Sequence, residues 1–354
     1  MNDLNPTGSP ARGPLLGLTL DGFGTHPEAW RATPGDPRRV WRADFALDLV
    51  QRAEAAGIDF VLFGDENRTD ASRGRLDPIV LAARIAPVTT AIGLVAETAV
   101  SHREPFHVAK ALATLDHISR GRAGWSVQVD TSAAGAARVG HRPAPTAAEA
   151  GREAREVVEV VRALWDSWED DAVIRDRPTG RFVDRDKLHY VDFTGEFFTV
   201  RGPLITPRPP QGNPPVLVRS GVPDPAAELA DVVTGDTGPA GAPRLAELEV
   251  TVDVRGSRAR ARAAELAAAS AAETAPADRP RFVGSAADLA TRIGELAGDF
   301  DGVLLRPAVT ALDVPVITGV VVPDLIERGV LHRTAPDRLR NRFGLPAAAN
   351  RYAA

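Results

Sequence analysis

The chain has 354 residues, of which 44% are hydrophobic and 25% are charged, and its formal net charge is −5. This composition is that of a globular protein with enough apolar residues for a large core. Acidic and basic residues are interspersed, which argues against an electrostatic nucleic-acid surface. The chain contains no cysteine, so disulfides, thiolate metal sites and a cysteine nucleophile are excluded. The histidines lack the spacing of metal ligands, and we expect no metal site.

The sequence also argues against a membrane or secreted protein. It contains no run of 18 or more apolar residues, and its first residues, MNDLNPTGSPARGP, have no apolar signal core. We therefore expect a cytoplasmic protein in which residues 1–13 form an extended or disordered tail.

Short apolar strands alternate with amphipathic helices in the first 130 residues. The predicted strands cover residues 15–20, 58–63, 91–96 and 123–127. Helical spacing of apolar residues predicts helices over 43–56, 77–85 and 104–117. Four strand–helix units of this kind indicate a parallel sheet.

The second half continues this alternation after one interruption. A long helix is predicted over 147–168, and a Gly-bearing alternating pattern within 184–204 predicts an antiparallel hairpin. Further strands are predicted at 215–218, 231–233, 249–254 and 302–305, with helices at 257–272, 286–296, 320–327 and 336–343. Eight strands, each but the last followed by a crossover helix, predict a (β/α)₈ TIM barrel formed by one domain over 1–354. Residues 169–214 are then an insertion between strands four and five, and 320–354 a C-terminal helical tail.

Polar residues at strand ends are the first candidates for a site, because ligands of parallel barrels bind at the carboxyl ends of the strands. Asp65 and Thr98 follow strands two and three, although Asp65 also suits a helix N-cap and Thr98 is an ordinary strand residue. Ser126 and Gln128 share one face of strand four, which points inward if Trp125 points outward. Trp125 either walls a cavity or fills the core.

Two histidines follow strands as candidate acid–base groups. His26 lies with Trp30 in the loop after strand one, and imidazole titrates near physiological pH. The alternative for His26 is a purely structural role in that loop. His102 follows strand three and is the second candidate, since it could face the barrel mouth.

Several stretches together resemble the bacterial luciferase-like flavin monooxygenases, in particular the branch of nitrilotriacetate monooxygenase and the desulfurising sulfone monooxygenase. The most specific strings are LDHISRGRAGW at 115–125 and LWDSW at 164–168. The others are EPFH at 104–107, FTGEFFTVRGPL at 193–204 and PPQG at 209–212.

This resemblance implies a barrel with FMN bound at its C-terminal mouth. It implies a two-component monooxygenase, in which a separate flavin reductase supplies reduced FMN and one oxygen atom of O₂ enters a small organic substrate. Asp65 is then expected near the flavin ring, with Phe23, Trp30, Trp125 and Phe197 lining the substrate pocket. The resemblance also implies a homodimer formed through the early barrel helices. A deazaflavin used for hydride transfer is an alternative cofactor on the same barrel.

The expected phosphate site departs from that of the relatives. The start of the long helix, residues 145–152, lacks the His and Tyr that relatives carry there. After strand five, Arg219, Ser220 and Gly221 are the candidate phosphate ligands, but Pro223 removes a backbone N–H donor. Arg152 or Arg138 could compensate. This departure supports the alternative of a flavin-poor homologue that acts as a non-catalytic partner subunit or a small-molecule binding protein.

Overall fold

The computed structural model describes residues 13–64, 74–101, 103–140, 142–223, 226–270, 279–332 and 336–353. Two candidate site residues, Asp65 and His102, lie outside the described residues, as do residues 1–12 of the expected tail.

The strands are short, and eight of the thirteen are largely buried. In chain order they are β1 (Leu15–Leu20), β2 (Phe60–Phe63), β3 (Gly93–Ala99), β4 (Ala123–Gln128), β5 (Val173–Asp176), β6 (Arg181–Val183), β7 (Phe193–Thr194), β8 (Thr199–Val200), β9 (Val216–Arg219), β10 (Val232–Thr234), β11 (Arg244–Val252), β12 (Arg281–Gly284) and β13 (Gly302–Pro307).

Helices cover the outside of the sheet. They are α1 (Ala29–Ala32), α2 (Ala43–Ala56), α3 (Pro78–Ile85), α4 (Pro105–Ser119), α5 (Ala133–Val139), α6 (Ala147–Asp166), α7 (Ala259–Ala269), α8 (Ala286–Asp299), α9 (Thr310–Val316), α10 (Val322–Glu327) and α11 (Leu339–Arg342). A π-helical turn, Ile317–Val321, joins α9 to α10.

Eight parallel strands close into a barrel in the order β1-β2-β3-β4-β9-β10-β11-β13. The ring closes because β13 pairs with β1, and β10 pairs with β11. This confirms the predicted barrel. The predicted antiparallel hairpin is formed by β7 and β8, and a second hairpin, β5–β6, precedes it in the insertion.

The prediction that a crossover helix follows every strand but the last was wrong at two places. Between β9 and β10 the described residues form only a 3₁₀ turn, Ala226–Leu229. Residues 235–243, all of them described, contain no helix. Three glycines and two prolines in this nine-residue connection disfavour one. The seventh barrel strand, β11, also begins at Arg244, five residues before its predicted start.

β12 was not predicted as a strand. It pairs in parallel with the C-terminal half of β11, from Glu249 to Val252. The three-residue strand β10 pairs only with the first residues of β11. β12 therefore extends the wall above β10, towards the C-terminal mouth.

An apolar plug fills the N-terminal end of the barrel. Leu339 and Phe343, from the last helical segment, are buried in the same cluster as Phe60, and the Phe60 and Phe343 ring centroids are 5.4 Å apart. Gly93 and Gly124 make room for the plug, since a Cβ on either would lie 2.6 or 2.9 Å from a Leu339 methyl carbon. Because the N-terminal end is closed, a binding site is expected at the C-terminal end of the barrel.

The LDHISRGRAGW segment builds the base of the barrel. The carboxylate of Asp116 accepts hydrogen bonds from the Ala123 N–H at 3.2 Å and from the backbone and side-chain N–H groups of Gln211 at 3.0 and 2.6 Å. Gln211 Oε1 in turn accepts from the Arg340 N–H at 2.7 Å. This network joins α4, β4, the connector before β9 and α11. Burial raises the pKa of Asp116 to about 6.

We expect the titration of Asp116 to lower the free energy of unfolding as the pH rises. Because its folded-state pKa is about 6 against an ordinary 3.8, the folded chain holds the proton that the unfolded chain releases between these values. The free energy of unfolding should therefore fall by up to about 3 kcal/mol between pH 4 and 7. Urea unfolding of the wild type and of Asp116→Asn across this range checks it, because only the wild type carries this titration. Parallel pH curves for the two proteins would contradict the assignment.

Candidate functional site

The orientation of strand β4 is decided by Trp125. Its ring is fully buried and packs edge-to-face on Trp165 of α6, with centroids 6.2 Å apart. Trp125 Nε1 donates a hydrogen bond to Thr98 Oγ1 at 2.8 Å. Both side chains therefore face the surrounding helices. Since successive strand residues alternate, Ser126 and Gln128 face the barrel interior.

A pocket of about 330 Å³ opens at the C-terminal end of the barrel. We call it the mouth pocket. Leu62 is among the apolar residues that line it, and polar side chains from six neighbouring strands form its walls. These inward-facing polar residues are Glu97, Ser126, Gln128, Arg219, Thr234, Glu247 and Arg306. Of the predicted cofactor-binding residues, Ser126, Gln128, Arg219, Ser220 and Gly221 are brought together here.

Charged groups in the mouth pocket are arranged around Glu247. Its Oε2 lies 3.2 Å from Arg279 Nε and 3.5 Å from Arg219 Nε, and its Oε1 accepts a hydrogen bond from Thr234 Oγ1 at 2.7 Å. Arg306 reaches the same pocket from β13 and is only 2% exposed. Three guanidinium groups thus face two carboxylates, those of Glu247 and Glu97, so the lining carries an excess of positive charge.

The side-chain oxygen of Gln128, at this end of the barrel, indicates a missing ligand. Gln128 Oε1 is buried and has no hydrogen-bond partner among the described residues. A buried amide oxygen without a donor is costly, and such atoms are rare in folded proteins unless a ligand or water completes them. The Gln128 amide can both accept and donate, as the imide edge of a flavin ring requires. The guanidinium groups suit the flavin carbonyl oxygens and phosphate. The residues present therefore fit a flavin.

The loop after β9 is only partly available for a phosphate. Ser220 Oγ accepts from the Thr237 N–H at 3.0 Å and donates to the Thr237 carbonyl at 2.8 Å. Gly221 has φ +85°, and nothing lies within 4 Å of the position where its Cβ would be. Arg152 makes a bidentate ion pair with Glu196, both bonds 2.9 Å long, and so is engaged elsewhere. The phosphate roles of Arg219, Ser220 and Gly221 remain predictions.

The predicted substrate-pocket residues do not line the mouth pocket. Phe197 lies on the β7–β8 hairpin beside α6, with the Arg152 guanidinium 6.0 Å from its ring centroid. Phe23 packs against a small cluster that contains Leu266 and Val309. Trp30 is 38% exposed. The hairpin was expected to contribute apolar lining, but it packs on the outer helix layer instead.

His26 lies beside a second cavity, above β11. Its Nδ1 accepts a hydrogen bond from the Glu28 N–H at 3.0 Å. The nitrogen that accepts cannot carry the proton, so the neutral ring is held as the Nε2–H tautomer. The structure does not bring His26 into the mouth pocket, and its catalytic role remains a prediction.

Sequence reasoning missed Glu97, Thr234, Glu247, Arg279 and Arg306. Glu97, Thr234 and Arg306 each directly follow a predicted strand but were not chosen as candidates, although the two-residue period that selects Ser126 also selects them. In β13, for example, Gly302, Leu304 and Arg306 share the inward face. Arg279 precedes the unpredicted strand β12, so no strand pattern indicated it.

Two kinds of feature are absent from the described residues. In that part of the chain, no group of three His, Asp or Glu side chains is placed to hold a metal ion. Nor does it contain a helix that is long and apolar enough to span a bilayer.

A closed parallel barrel with a polar pocket at its C-terminal mouth is the architecture of barrel enzymes. The chain belongs to the luciferase-like monooxygenase family, whose model matches residues 24–287. This confirms the family to which the sequence motifs pointed.

Individual relatives agree with this assignment. N-acetyl-S-(2-succino)cysteine monooxygenase of Bacillus subtilis (strain 168) is 37% identical over 211 residues, which are 58% of this chain and 48% of that protein. Nitrilotriacetate monooxygenase component A of Aminobacter aminovorans is 36% identical over 232 residues, which are 61% of this chain and 51% of that protein. The chain thus spans about half the length of these curated relatives.

A solved structure shows the same fold over nearly the whole chain. The EDTA monooxygenase EmoA from Chelativorans sp. BNC1 superimposes with a TM-score of 0.79 and covers 95% of this chain and 99% of its own. Its sequence identity is 21%, so this likeness concerns the barrel alone.

Proposed function

We propose that this protein is a flavin-dependent monooxygenase that uses reduced FMN and O₂ to oxygenate a small organic molecule. Family membership and the monooxygenase relatives support the reaction class. The observation that carries the proposal is the buried, unpartnered Gln128 oxygen in a mouth pocket lined by guanidinium groups. The flavin, when bound, supplies the redox chemistry with oxygen.

The chain's own residues would bind the flavin, orient it and shield it from water. Gln128 and Ser126 would position the polar edge of the ring, while Arg306 and Arg219 would offset negative charge on the reduced cofactor or its phosphate. Leu62 contributes apolar surface to the same pocket, which limits the access of water. His26 and the predicted site residues outside the described ranges, Asp65 and His102, stay candidates for proton handling and flavin contact.

A separate flavin reductase is the proposed protein partner. One relative is named as component A of a monooxygenase, which supports a multicomponent system. A homodimer is proposed on the family resemblance, and a cytoplasmic location is proposed on the composition of the sequence.

Two alternatives are kept. The Ser220 hydroxyl already forms hydrogen bonds with the backbone of Thr237. In the same expected phosphate loop, Pro223 has no backbone N–H to donate. This observation favours a flavin-poor homologue that serves as a non-catalytic subunit or a binding protein. A deazaflavin-dependent hydride transferase is the other alternative, because the same barrel hosts that cofactor.

Anaerobic titration with oxidised and reduced FMN tests the proposal. We expect saturable binding of both forms and tighter binding of the reduced one, since the excess of guanidinium groups favours an anionic ligand. Gln128→Leu should weaken binding about tenfold, the loss of roughly one hydrogen bond. Gln51→Leu, an exposed position on α2, is the matched control. Failure to bind either form would remove the monooxygenase proposal, and binding of a deazaflavin alone would favour the hydride transferase.

A further inference from the structure

A polar pocket lies at the base of the barrel, at the end opposite the mouth pocket. It has a volume of about 360 Å³ and is bounded by the end of α6, the residues that precede β9 and β10, α11 and residues 348–351. We call it the base pocket. It shares no residue with the mouth pocket, so a ligand bound there would be separate from the flavin. Its charged and polar lining residues are Arg162, Asp166, Asn213, Asp231, Arg340 and Arg351.

Positive charge exceeds negative charge in the base pocket. Arg162 Nη2 donates to Asp231 Oδ2 at 2.9 Å, and Arg340 Nη1 lies 3.8 Å from the same oxygen. Arg351 Nε donates to Asp166 Oδ2 at 3.3 Å. Three guanidinium groups therefore line the pocket together with two carboxylates. This surplus of positive charge favours an anionic ligand.

The carboxylate of Asp166 is already compensated by the chain itself. Its Oδ1 accepts hydrogen bonds from Asn213 Nδ2 at 2.9 Å and from Arg208 Nε and Nη2 at 3.2 and 3.1 Å. Arg208 also pairs with the exposed side chain of Asp170 at 2.9 Å. Because Asp166 has this further cationic partner, it opposes a bound anion less than an unpaired carboxylate would.

The arginines of the base pocket keep N–H groups for a ligand. Arg162 donates to the chain through Nη2, and Arg340 through Nε and Nη1. Among the described residues, Arg162 Nη1, Arg340 Nη2 and both Nη atoms of Arg351 have no acceptor. Burial lowers the pKa of Arg340, nearby Asp231 raises it, and the like charge of Arg162 lowers it. An oxyanion that accepts from Arg162 and Arg340 would relieve this repulsion.

Asn213 adds a requirement for a hydrogen-bond donor on the ligand. Its side-chain Oδ1 is buried and has no donor among the described residues. Its Nδ2 donates to Asp166 Oδ1, so turning the amide round would set two acceptors against each other. A buried amide oxygen without a donor is costly. An anion that still carries an O–H group satisfies both Asn213 and the arginines.

We propose that the base pocket binds inorganic phosphate in a protonated form. Three oxygens of this tetrahedral anion would accept from Arg162, Arg340 and Arg351, while the fourth, which is protonated, would donate to Asn213 Oδ1. Inorganic phosphate keeps at least one proton at neutral pH, whereas sulfate keeps none. A phosphate monoester, with a second pKa of about 6, has mostly lost that proton. The site does not depend on the proposed function, because none of these residues lines the mouth pocket.

Calorimetric titration of the full chain at about pH 7.5 tests the choice of ligand. Inorganic phosphate should bind saturably, and sulfate and glycerol 3-phosphate should each bind about tenfold more weakly or worse, the loss of roughly one hydrogen bond. Equal or tighter binding of sulfate or of glycerol 3-phosphate, or no binding of phosphate, would overturn the proposal.

Substitution of Arg351 tests the location of the site. Arg351→Gln should weaken phosphate binding about tenfold or more, because a charge-assisted contact is lost. Arg328→Gln is the matched control, since the Arg328 side chain is 41% exposed against 43% for Arg351 and is likewise paired with an aspartate. Arg328→Gln should bind phosphate as the wild type does. Equal phosphate affinities of Arg351→Gln and Arg328→Gln would contradict the assignment.

Two further variants separate the donor requirement from charge and the base pocket from the mouth pocket. Asn213→Ala should abolish the preference for phosphate over sulfate, and an unchanged preference would remove the role of Asn213. If Asn213→Ala does not fold, the three anions and Arg351→Gln still decide the proposal. Arg306→Met removes a cation from the mouth pocket and should leave phosphate affinity unchanged. Loss of phosphate affinity in Arg306→Met but not in Arg351→Gln would place the anion in the mouth pocket and overturn the proposal.

Discussion

Replacing Arg122 by methionine is expected to lower the free energy of unfolding by about 4 kcal/mol. The guanidinium of Arg122 is buried and donates five hydrogen bonds. Its acceptors are the carbonyl oxygens of Ala86, Thr89, Ile92 and Ser119, at 2.7–3.0 Å, and Thr89 Oγ1 at 3.1 Å. Methionine fills similar space but donates nothing, so these carbonyl groups would lose a donor at once.

Denaturant unfolding monitored by tryptophan fluorescence measures this effect. Arg120→Met is the matched control, because Arg120 is exposed at the C-terminal end of α4, two residues away in the same motif. We expect a change of less than about 0.5 kcal/mol there. A loss at Arg122 no larger than that of the control would show that the carbonyl groups find other donors. Arg122→Lys should recover only part of the loss, since an ammonium cannot reproduce the planar fork.

Arg122 also shows why a sequence motif can identify a fold without identifying a site. In LDHISRGRAGW, Asp116 and Arg122 satisfy backbone groups of neighbouring elements at the base of the barrel. Trp125 packs on the outer helix layer. Only the residues that follow, Ser126 and Gln128, reach the mouth pocket. The motif therefore predicts the barrel reliably but says little about the chemistry at the opposite end.

The order of the barrel strands was predictable from their short apolar runs and from the helical spacing between them. The structure of the barrel wall near β11 was not predictable in this way, because both faces of the first half of that strand are buried. Leu245 and Glu247 face the interior while Ala246 and Leu248 face the helices, and all four are buried. Hydrophobic alternation is therefore absent from the first half of this strand. β12 pairs with β11 only through tertiary contact, and four residues carry too little pattern to reveal it.

Some of the site residues were likewise predictable from the sequence, and others were not. The inward positions of Ser126 and Gln128 followed from the two-residue period once Trp125 was assigned to the outer face. The assignments of Phe23, Trp30 and Phe197 to a substrate pocket used residue type and resemblance alone. Those criteria do not determine which face of the barrel a loop or hairpin covers. The ion pairs around Glu247 join β9, β11 and the segment before β12, so they depend on the closed barrel.

Replacing Arg306 by methionine is expected to weaken binding of reduced FMN by about 100-fold. Arg306 is 2% exposed, lies on the inward face of β13 and lines the mouth pocket. Reduced flavin is electron-rich and anionic near neutral pH, so a buried cation in its site stabilises it more than the oxidised form. Loss of a charge-assisted hydrogen bond costs about 1.5–3 kcal/mol, which corresponds to roughly 10- to 150-fold in affinity.

Comparing the binding of reduced and oxidised FMN distinguishes this electrostatic effect from a change in the shape of the mouth pocket. Anaerobic titration of Arg306→Met should show the 100-fold loss for reduced FMN and a clearly smaller loss for the oxidised form. Arg306→Lys keeps the charge but not the planar donor geometry, so it should retain much of the preference for the reduced form at lower affinity. Thermal unfolding of both variants establishes that they remain folded. Equal losses for both redox forms in Arg306→Met would mean that Arg306 shapes the pocket without setting its electrostatic preference.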